Sequence, residues 1–345
     1  MGLAALLLGH AGLGLAMRAS ETVGTLHAVA TAAVGLGLAL FGRSLKPALY
    51  LAAYVVGSEV LWRMTGTAVF WEYGKYTLSA ILLVVALRAR RSGASGLPIL
   101  YFVLLLPSAI ITLSNLEWDA ARRQLSFNLS GPFALMVCVF VFWDLRVSRA
   151  ELTRIFAALM APTAGVSAIA LAGVTSTRVS FNRGSNFASS GGFGPNQVSA
   201  VLALGALVAL MWLLQDRVRP GLKAVLFAAI TTFAAQSALT FSRGGLYFTG
   251  LAWAAGAFYY ARGRQTRLRV AALSLAVLAV AAVLVVPRLE SFTGGKLSDR
   301  FQDMDPTRRE KIVQIELARG AWRPPLTPSS RGWSGSTDCS VSRRR

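Results

Sequence analysis

The sequence predicts an all-α fold, a polytopic integral membrane helix bundle of about 11 transmembrane helices with a cytoplasmic N-terminus. Three observations carry this. The 345-residue chain is 54% hydrophobic and 14% charged, with a mean hydropathy of +0.54, whereas soluble domains hold about a quarter charged residues. Its apolar residues come in blocks near the ~20 that a helix needs to cross a bilayer, and its basic residues cluster between those blocks. A large soluble helical protein needs polar faces on its surface helices, and the block 268–286 (LRVAALSLAVLAVAAVLVV) has none.

In order, the expected spans are 2–17, 22–42, 47–62, 70–87, 97–113, 127–142, 152–173, 197–214, 222–240, 244–260 and 268–286. The first is short, and no basic stretch precedes it, so it is not read as a cleaved signal peptide. The fifth contains Pro107, a position where a helix is expected to break. The eighth follows SSGGFGPNQ, in which Pro195 suits a first helical turn because its missing N–H costs nothing there. The ninth and tenth are joined by FSRG alone, which predicts a tight hairpin.

Lys and Arg counts in the short loops set the orientation. Alternate loops carry Arg43 and Lys46; Arg88, Arg90 and Arg91; Arg146, Arg149 and Arg154; Arg217, Arg219 and Lys223; Arg262, Arg264, Arg267 and Arg269. The other loops carry fewer: Arg18; Arg63 and Lys75; Arg122 and Arg123; Arg178 and Arg183; Arg243. The richer set is expected in the cytoplasm, which puts 174–196, the FSRG turn and the segment after 286 outside. The net charge of +20 is thus assigned to topology and membrane lipids, and no nucleic-acid motif accompanies it. Of the two cysteines, Cys138 lies in an apolar block and Cys339 in the tail, which gives no disulfide framework.

Signatures of soluble enzymes are missing. Gly294-Gly295-Lys296 is followed by Leu297 and lacks the glycine spacing of a phosphate loop. No paired Cys/His spacing suggests a metal. His10 and His27, in the first two spans, read as helix–helix hydrogen bonds or as cavity residues. The outer loops instead offer Arg178, Arg183 and Arg243, each in a stretch without an acidic residue. A guanidinium fork binds phosphate oxygens and keeps its charge in low dielectric. Arg183 and Arg243 are therefore expected to meet an anionic ligand such as a lipid diphosphate, with Arg178 a further substrate contact or a charge that faces lipid headgroups. The stretch GSEVLWRMTGTAVFWEYGKY (57–76) reads as an acceptor or sugar site, or as a structural ion pair and membrane anchor. It pairs Glu59 with Arg63 and Glu72 with Lys75 inside a belt of Trp62, Trp71, Tyr73 and Tyr76.

These motifs in their order resemble the O-antigen ligase and O-antigen polymerase superfamily of bacterial polysaccharide membrane proteins. The resemblance rests on GGFGPNQVSAVLALG after an outer loop, TFSRGGLYFTGLAW at a later helix start, and RLESFTGGKLSDRFQDMDPTRREKIVQIELA after the last span. It covers roughly residues 150–318, and 50–76 more weakly. It implies a bacterial inner-membrane glycosyltransferase that needs no metal or nucleotide cofactor. The donor is a polyprenyl-diphosphate-linked glycan. The acceptor is the lipopolysaccharide core or another hydroxyl, or a further repeat unit if the enzyme is a polymerase. Arg183 and Arg243 match the arginines that hold the diphosphate, with Asn196 and Gln197 at the neighbouring helix start. A non-catalytic lipid-linked-sugar transporter is the alternative of another class.

The sequence departs from that family in its histidines and in its C-terminal part. No histidine follows His27 to act as the loop base the family uses. Composition also changes near Arg319, where RGAWRPPLTPSSRGWSGSTDCSVSRRR is dominated by Arg, Ser, Pro and Gly. The expected organisation is a bundle over 1–286, the start of a periplasmic loop over 287–318, and an aberrant or disordered tail over 319–345 from a shifted frame or truncated gene. On that reading this chain binds donor but lacks the base.

Overall fold

The computed structural model describes residues 2–89, 96–143, 145–176, 180–181, 184–215, 218–261, 263–302 and 314. The change of composition near 319 lies outside the described residues. The chain divides into two units, Met1–Phe301 and Gln302–Arg345, and everything that follows concerns the first.

That unit is all α among its described residues. The helices are α1 (Leu3–Ala19), α2 (Glu21–Phe41), α3 (Lys46–Met64), α4 (Tyr73–Ala89), α5 (Leu97–Asn115) and α6 (Trp118–Phe142). Then come α7 (Arg149–Ser176), α8 (Pro195–Leu213), α9 (Pro220–Leu239), α10 (Arg243–Tyr260), α11 (Arg264–Thr293) and the short α12 (Lys296–Gln302). Seven of them (α2, α5, α6, α7, α8, α9 and α11) are long and apolar enough to cross a membrane. This makes the chain a polytopic membrane bundle but corrects the expected count of eleven. The other four expected spans exist as helices that fall short in length or apolarity. α1 and α4 have 17 residues each, α3 carries Lys46, Glu59 and Arg63, and the 18-residue α10 is diluted by glycine and tyrosine.

Two boundaries also move. α6 begins at Trp118 rather than near 127, because a helix continues through polar residues that a hydropathy window rejects. α11 runs on past 286 to Thr293 through a π-helical turn at Ala281–Val285, so the last span and the start of the expected outer loop are one helix. Pro287 explains the turn: it cannot donate to the carbonyl four residues earlier, and a widened turn absorbs the clash of its ring. α5 is unbroken through Pro107, contrary to expectation, and buries none of its residues.

The core lies along α3, α7 and α8, where Leu61, Met160, Ile169 and Leu202 are fully buried. Small residues let these helices approach closely, as they do where lipid rather than water surrounds a bundle. A Cβ on Gly14 of α1 would lie 2.7 Å from the Gly165 Cα of α7, and one on Gly57 of α3 2.6 Å from the Leu159 carbonyl oxygen. By contrast, α5 and α11 turn apolar side chains such as Leu104, Ile110, Leu275 and Leu278 outward.

The turns sort to two ends, and the loops richer in Lys and Arg share one of them. At one end Lys46 pairs with Glu151, and Arg88 donates to the carbonyls of Ala39 (2.5 Å) and Gly42 (3.1 Å). A cavity there is lined by Leu3, Arg154, Trp212 and Leu222, so the chain's N-terminus shares this end with its basic loops. At the other end Arg18 donates to the Gly191 carbonyl (2.5 Å), and the Ala68 N–H donates to Thr25 Oγ1 (3.1 Å). We call this second end the Arg63 end.

The α1–α7 approach yields a test. Gly14→Val drives a branched side chain into backbone that cannot yield, an overpacking worth about 1–3 kcal/mol. Gly12→Val, on the same helix with open space around it, serves as control. Thermal unfolding in detergent should show a lowered midpoint for the first and an unchanged one for the second.

Candidate functional site

The stretch between α7 and α8 reads as polar and bendable in sequence, yet its described part is a packed plug at the Arg63 end. Asn186 organises it. Its N–H donates to the Thr240 carbonyl (2.9 Å) and its Nδ2 to the Ser180 carbonyl (3.0 Å). Its Oδ1 accepts from the Ser189 N–H (2.9 Å), and its carbonyl accepts from Ser190 Oγ (2.6 Å). Ser189 and Ser190 are fully buried in a 3₁₀ turn, with Ser189 Oγ on the Leu239 carbonyl (2.5 Å) and Gln236 Nε2 on the Ser189 carbonyl (2.8 Å). The chain reverses at Gly191 and Gly192, whose φ of +67° and +82° favour glycine. A Cβ on Gly191 would also meet Ile169 and Met64 at 2.9 Å.

The plug delivers the chain to the head of α8, where Pro195 occupies the first turn as expected. The head of α10 lies beside it. Ser242, the N-cap residue of α10, donates to Asn196 Oδ1 (2.8 Å), and its carbonyl accepts from Ser199 Oγ (3.1 Å). Gly245 permits the contact, since a Cβ there would lie 2.6 Å from the Ser199 carbonyl oxygen. Two helix N-termini, each with partial positive charge, thus converge with half-buried Arg243 as the first residue of α10. Phe241, just before it, is fully buried at φ +58°, a costly conformation for a bulky residue. It is held by stacking on Phe181 (centroids 5.3 Å apart) and by Arg300 Nε on its carbonyl (3.1 Å).

Arg63 joins this head to α3 and α4. Its guanidinium donates to Glu59 Oε1 (2.5 Å), to Gln197 Oε1 (2.8 Å) and twice to the Trp71 carbonyl (2.7 and 3.1 Å), and it lies over the Trp71 ring at 4.5 Å. Trp71 in turn approaches Phe193 of the plug (6.0 Å). The Glu59–Arg63 pair is the i,i+4 pair that the spacing predicts. It borders a small cavity of about 210 Å³ shared with Trp62, Thr67, Val69 and Tyr73.

Glu72 and Lys75 part company. Glu72 sits in the turn before α4, and its Oε2 accepts from Ser126 Oγ of α6 (3.2 Å). Lys75 donates to Ser130 Oγ (3.4 Å) and faces the Phe127 ring (5.9 Å). Glu72 opens onto a second, larger cleft of about 1280 Å³ between the α3–α4 loop and α6.

Of the residues singled out in sequence, the fold therefore connects Glu59, Arg63, Asn196, Gln197 and Arg243. Glu72 and Lys75 lie on the adjoining α4–α6 face. Arg178 and Arg183 lie outside the described residues. Sequence reasoning missed Asn186, Ser189, Gln236 and Ser242, whose partners are remote in the chain. Among the described residues no group of three His, Cys, Asp or Glu side chains is placed to hold a metal ion.

His10 and His27 bond helix to helix, as read. Trp62 Nε1 donates to His27 Nδ1 (2.9 Å), so the imidazole proton sits on Nε2 and points at Tyr54 Oη (2.7 Å). The Tyr54 hydroxyl then donates to His10 Nε2 (3.2 Å), and His10 Nδ1–H to the Leu6 carbonyl (2.9 Å). Every donor and acceptor in this relay across α1, α2 and α3 is satisfied.

Comparisons with family models, with curated proteins and with solved structures return no match to this chain.

The relay predicts unequal effects for two tyrosines of α3. Tyr54→Phe removes the hydroxyl that both imidazoles use, and a lost buried partner costs about 1–3 kcal/mol. Tyr50→Phe removes a buried hydroxyl that has no hydrogen-bond partner. Thermal unfolding should show a clear loss for the first and none for the second.

Proposed function

We propose that this chain is an O-antigen ligase-like glycosyltransferase of a bacterial inner membrane, with the Arg63 end on the periplasmic side. It moves a glycan from a polyprenyl diphosphate to an acceptor hydroxyl, on the lipopolysaccharide core or another acceptor. The observation that carries this reading is the convergence of the α8 and α10 N-termini, joined by Ser242 and Asn196, with Arg243 at the head of α10. Helix N-termini and a guanidinium fork are the groups that bind phosphate oxygens.

In the proposed step the acceptor oxygen attacks the anomeric carbon, and its proton passes to an oxygen of the departing diphosphate, since no histidine follows His27 to serve as the base. The bond from that carbon to the diphosphate oxygen breaks, and polyprenyl diphosphate leaves with the electron pair. The leaving group gathers negative charge, so a fixed positive field in a poorly hydrated site lowers the barrier. Arg243 supplies that charge, and by resemblance Arg183 supplies a second. Gln197 and Asn196 orient the site. Arg63, with four hydrogen bonds inside the protein, acts as the brace that holds α3 and the α3–α4 loop against α8. The same donor seat serves a repeat-unit polymerase, which differs only in the acceptor.

Arg243→Ala is the test. Transfer in cells should fall about a hundredfold or more, the usual effect of removing one such group. Lipid-linked donor should still reach the outer leaflet, as read by labelling its exposed sugar. Loss of donor export instead would move the chain to the transporter class.

A further inference from the structure

The cleft between the α3–α4 loop and α6 has a composition that the donor seat does not explain. Its volume of about 1280 Å³ exceeds the roughly 300–1,000 Å³ of common small-ligand sites. Trp71, Trp118 and Phe127 are exposed there, offering flat apolar faces. Glu72 is only 8% exposed, yet among the described residues one neutral hydroxyl, Ser126 Oγ, is the donor its carboxylate meets, and Ser126 is shared with Tyr76 Oη (3.1 Å). A carboxylate so enclosed needs more donors than this. Lys75, one turn along α4, faces Ser130 and does not pair with it. Arg122 and Arg123, exposed in the first turns of α6, form a basic rim.

We propose that this cleft binds the sugar headgroup of an anionic glycolipid, with Glu72 accepting hydrogen bonds from sugar hydroxyls. The proposal rests on the glycan-transfer reading, in which the cleft holds the acceptor. The charges set the orientation of the ligand. A phosphate is repelled by Glu72 and attracted by Arg122 and Arg123, so it sits at the rim. Sugar hydroxyls are donors and go to the carboxylate. The pyranose C–H faces lie against the aromatic rings, and the acyl chains run down the lipid-facing sides of α5 and α6. Trp71 belongs to both regions: its carbonyl holds Arg63 beside Gln197, and its ring borders the cleft. The acceptor is thereby placed next to the donor seat.

The experiment is native mass spectrometry of the full chain in detergent, titrated with two probes. One is a phosphorylated glucosamine-disaccharide glycolipid, the other phosphatidic acid with the same acyl chains. The glycolipid should bind at least about tenfold more tightly, and Glu72→Gln should abolish that preference, the loss expected for a hydrogen bond to a charged group. Replacing Arg122 and Arg123 by alanine should weaken both lipids alike. Equal binding of the two probes, or a preference unchanged by Glu72→Gln, overturns the proposal and marks the cleft as a phospholipid seat. If Glu72→Gln does not fold, Tyr76→Phe is the second variant, and an unchanged preference there overturns the proposal equally. Glycolipid binding that depends on Glu72 in a wild-type chain that transfers no glycan supports the cleft and sinks the transfer reading. Transfer together with binding indifferent to Glu72 sinks the cleft alone.

Discussion

The Arg63 guanidinium is the interaction on which the rest of this end depends. It is a single cation, largely enclosed, and it binds a carboxylate one turn back on its own helix, the carbonyl of the following loop, and a side-chain amide on α8. An arginine is suited to this because its donors leave in several directions from one rigid plane. Remove it and the α3–α4 loop loses its carbonyl anchor, Trp71 loses the cation over its ring, and Gln197 loses its donor. The arrangement of loop, plug and helix head is thus set before any ligand arrives, which is the condition for electrostatic catalysis.

Around this brace the polar groups follow one rule, that a group removed from water must find a partner. Asn186 uses its backbone and both atoms of its amide in holding the plug, and Gln236 reaches across to the Ser189 carbonyl. The histidines obey the same rule deeper in the bundle. Among the described residues the exceptions include the buried hydroxyls of Tyr50 and Ser58, which have no hydrogen-bond partner, and Glu72, whose carboxylate meets a single hydroxyl donor. The tight backbone approaches at Gly14, Gly57 and Gly245 belong to the same account. They bring helices close enough for short side chains such as Ser199 and Ser242 to bond across them.

What the sequence made legible is what depends on local pattern. The apolar blocks located the helices, and their up-and-down alternation sorted the turns to two ends. The i,i+4 spacing found the Glu59–Arg63 pair, and Pro195 marked the head of α8. Helix ends and span number were less legible, because hydropathy locates an apolar core and not a helix terminus. α6 gains polar residues before its apolar part, and α3 keeps its charges. The Glu72–Lys75 pairing failed for a local reason: α4 begins at Tyr73, so Glu72 is in a turn and the helical spacing does not apply. The Asn186 and Gln236 contacts were invisible because they join segments about fifty residues apart, and no short-range pattern encodes them.

The most direct measurement is transfer by the purified chain itself. It is reconstituted alone in liposomes with a polyprenyl-diphosphate-linked glycan and a lipopolysaccharide-core acceptor. The products are read as glycan on the acceptor and free polyprenyl diphosphate. The account predicts that both appear together in equal amounts without added metal or nucleotide. Donor that stays intact, or that crosses the bilayer unchanged, contradicts it.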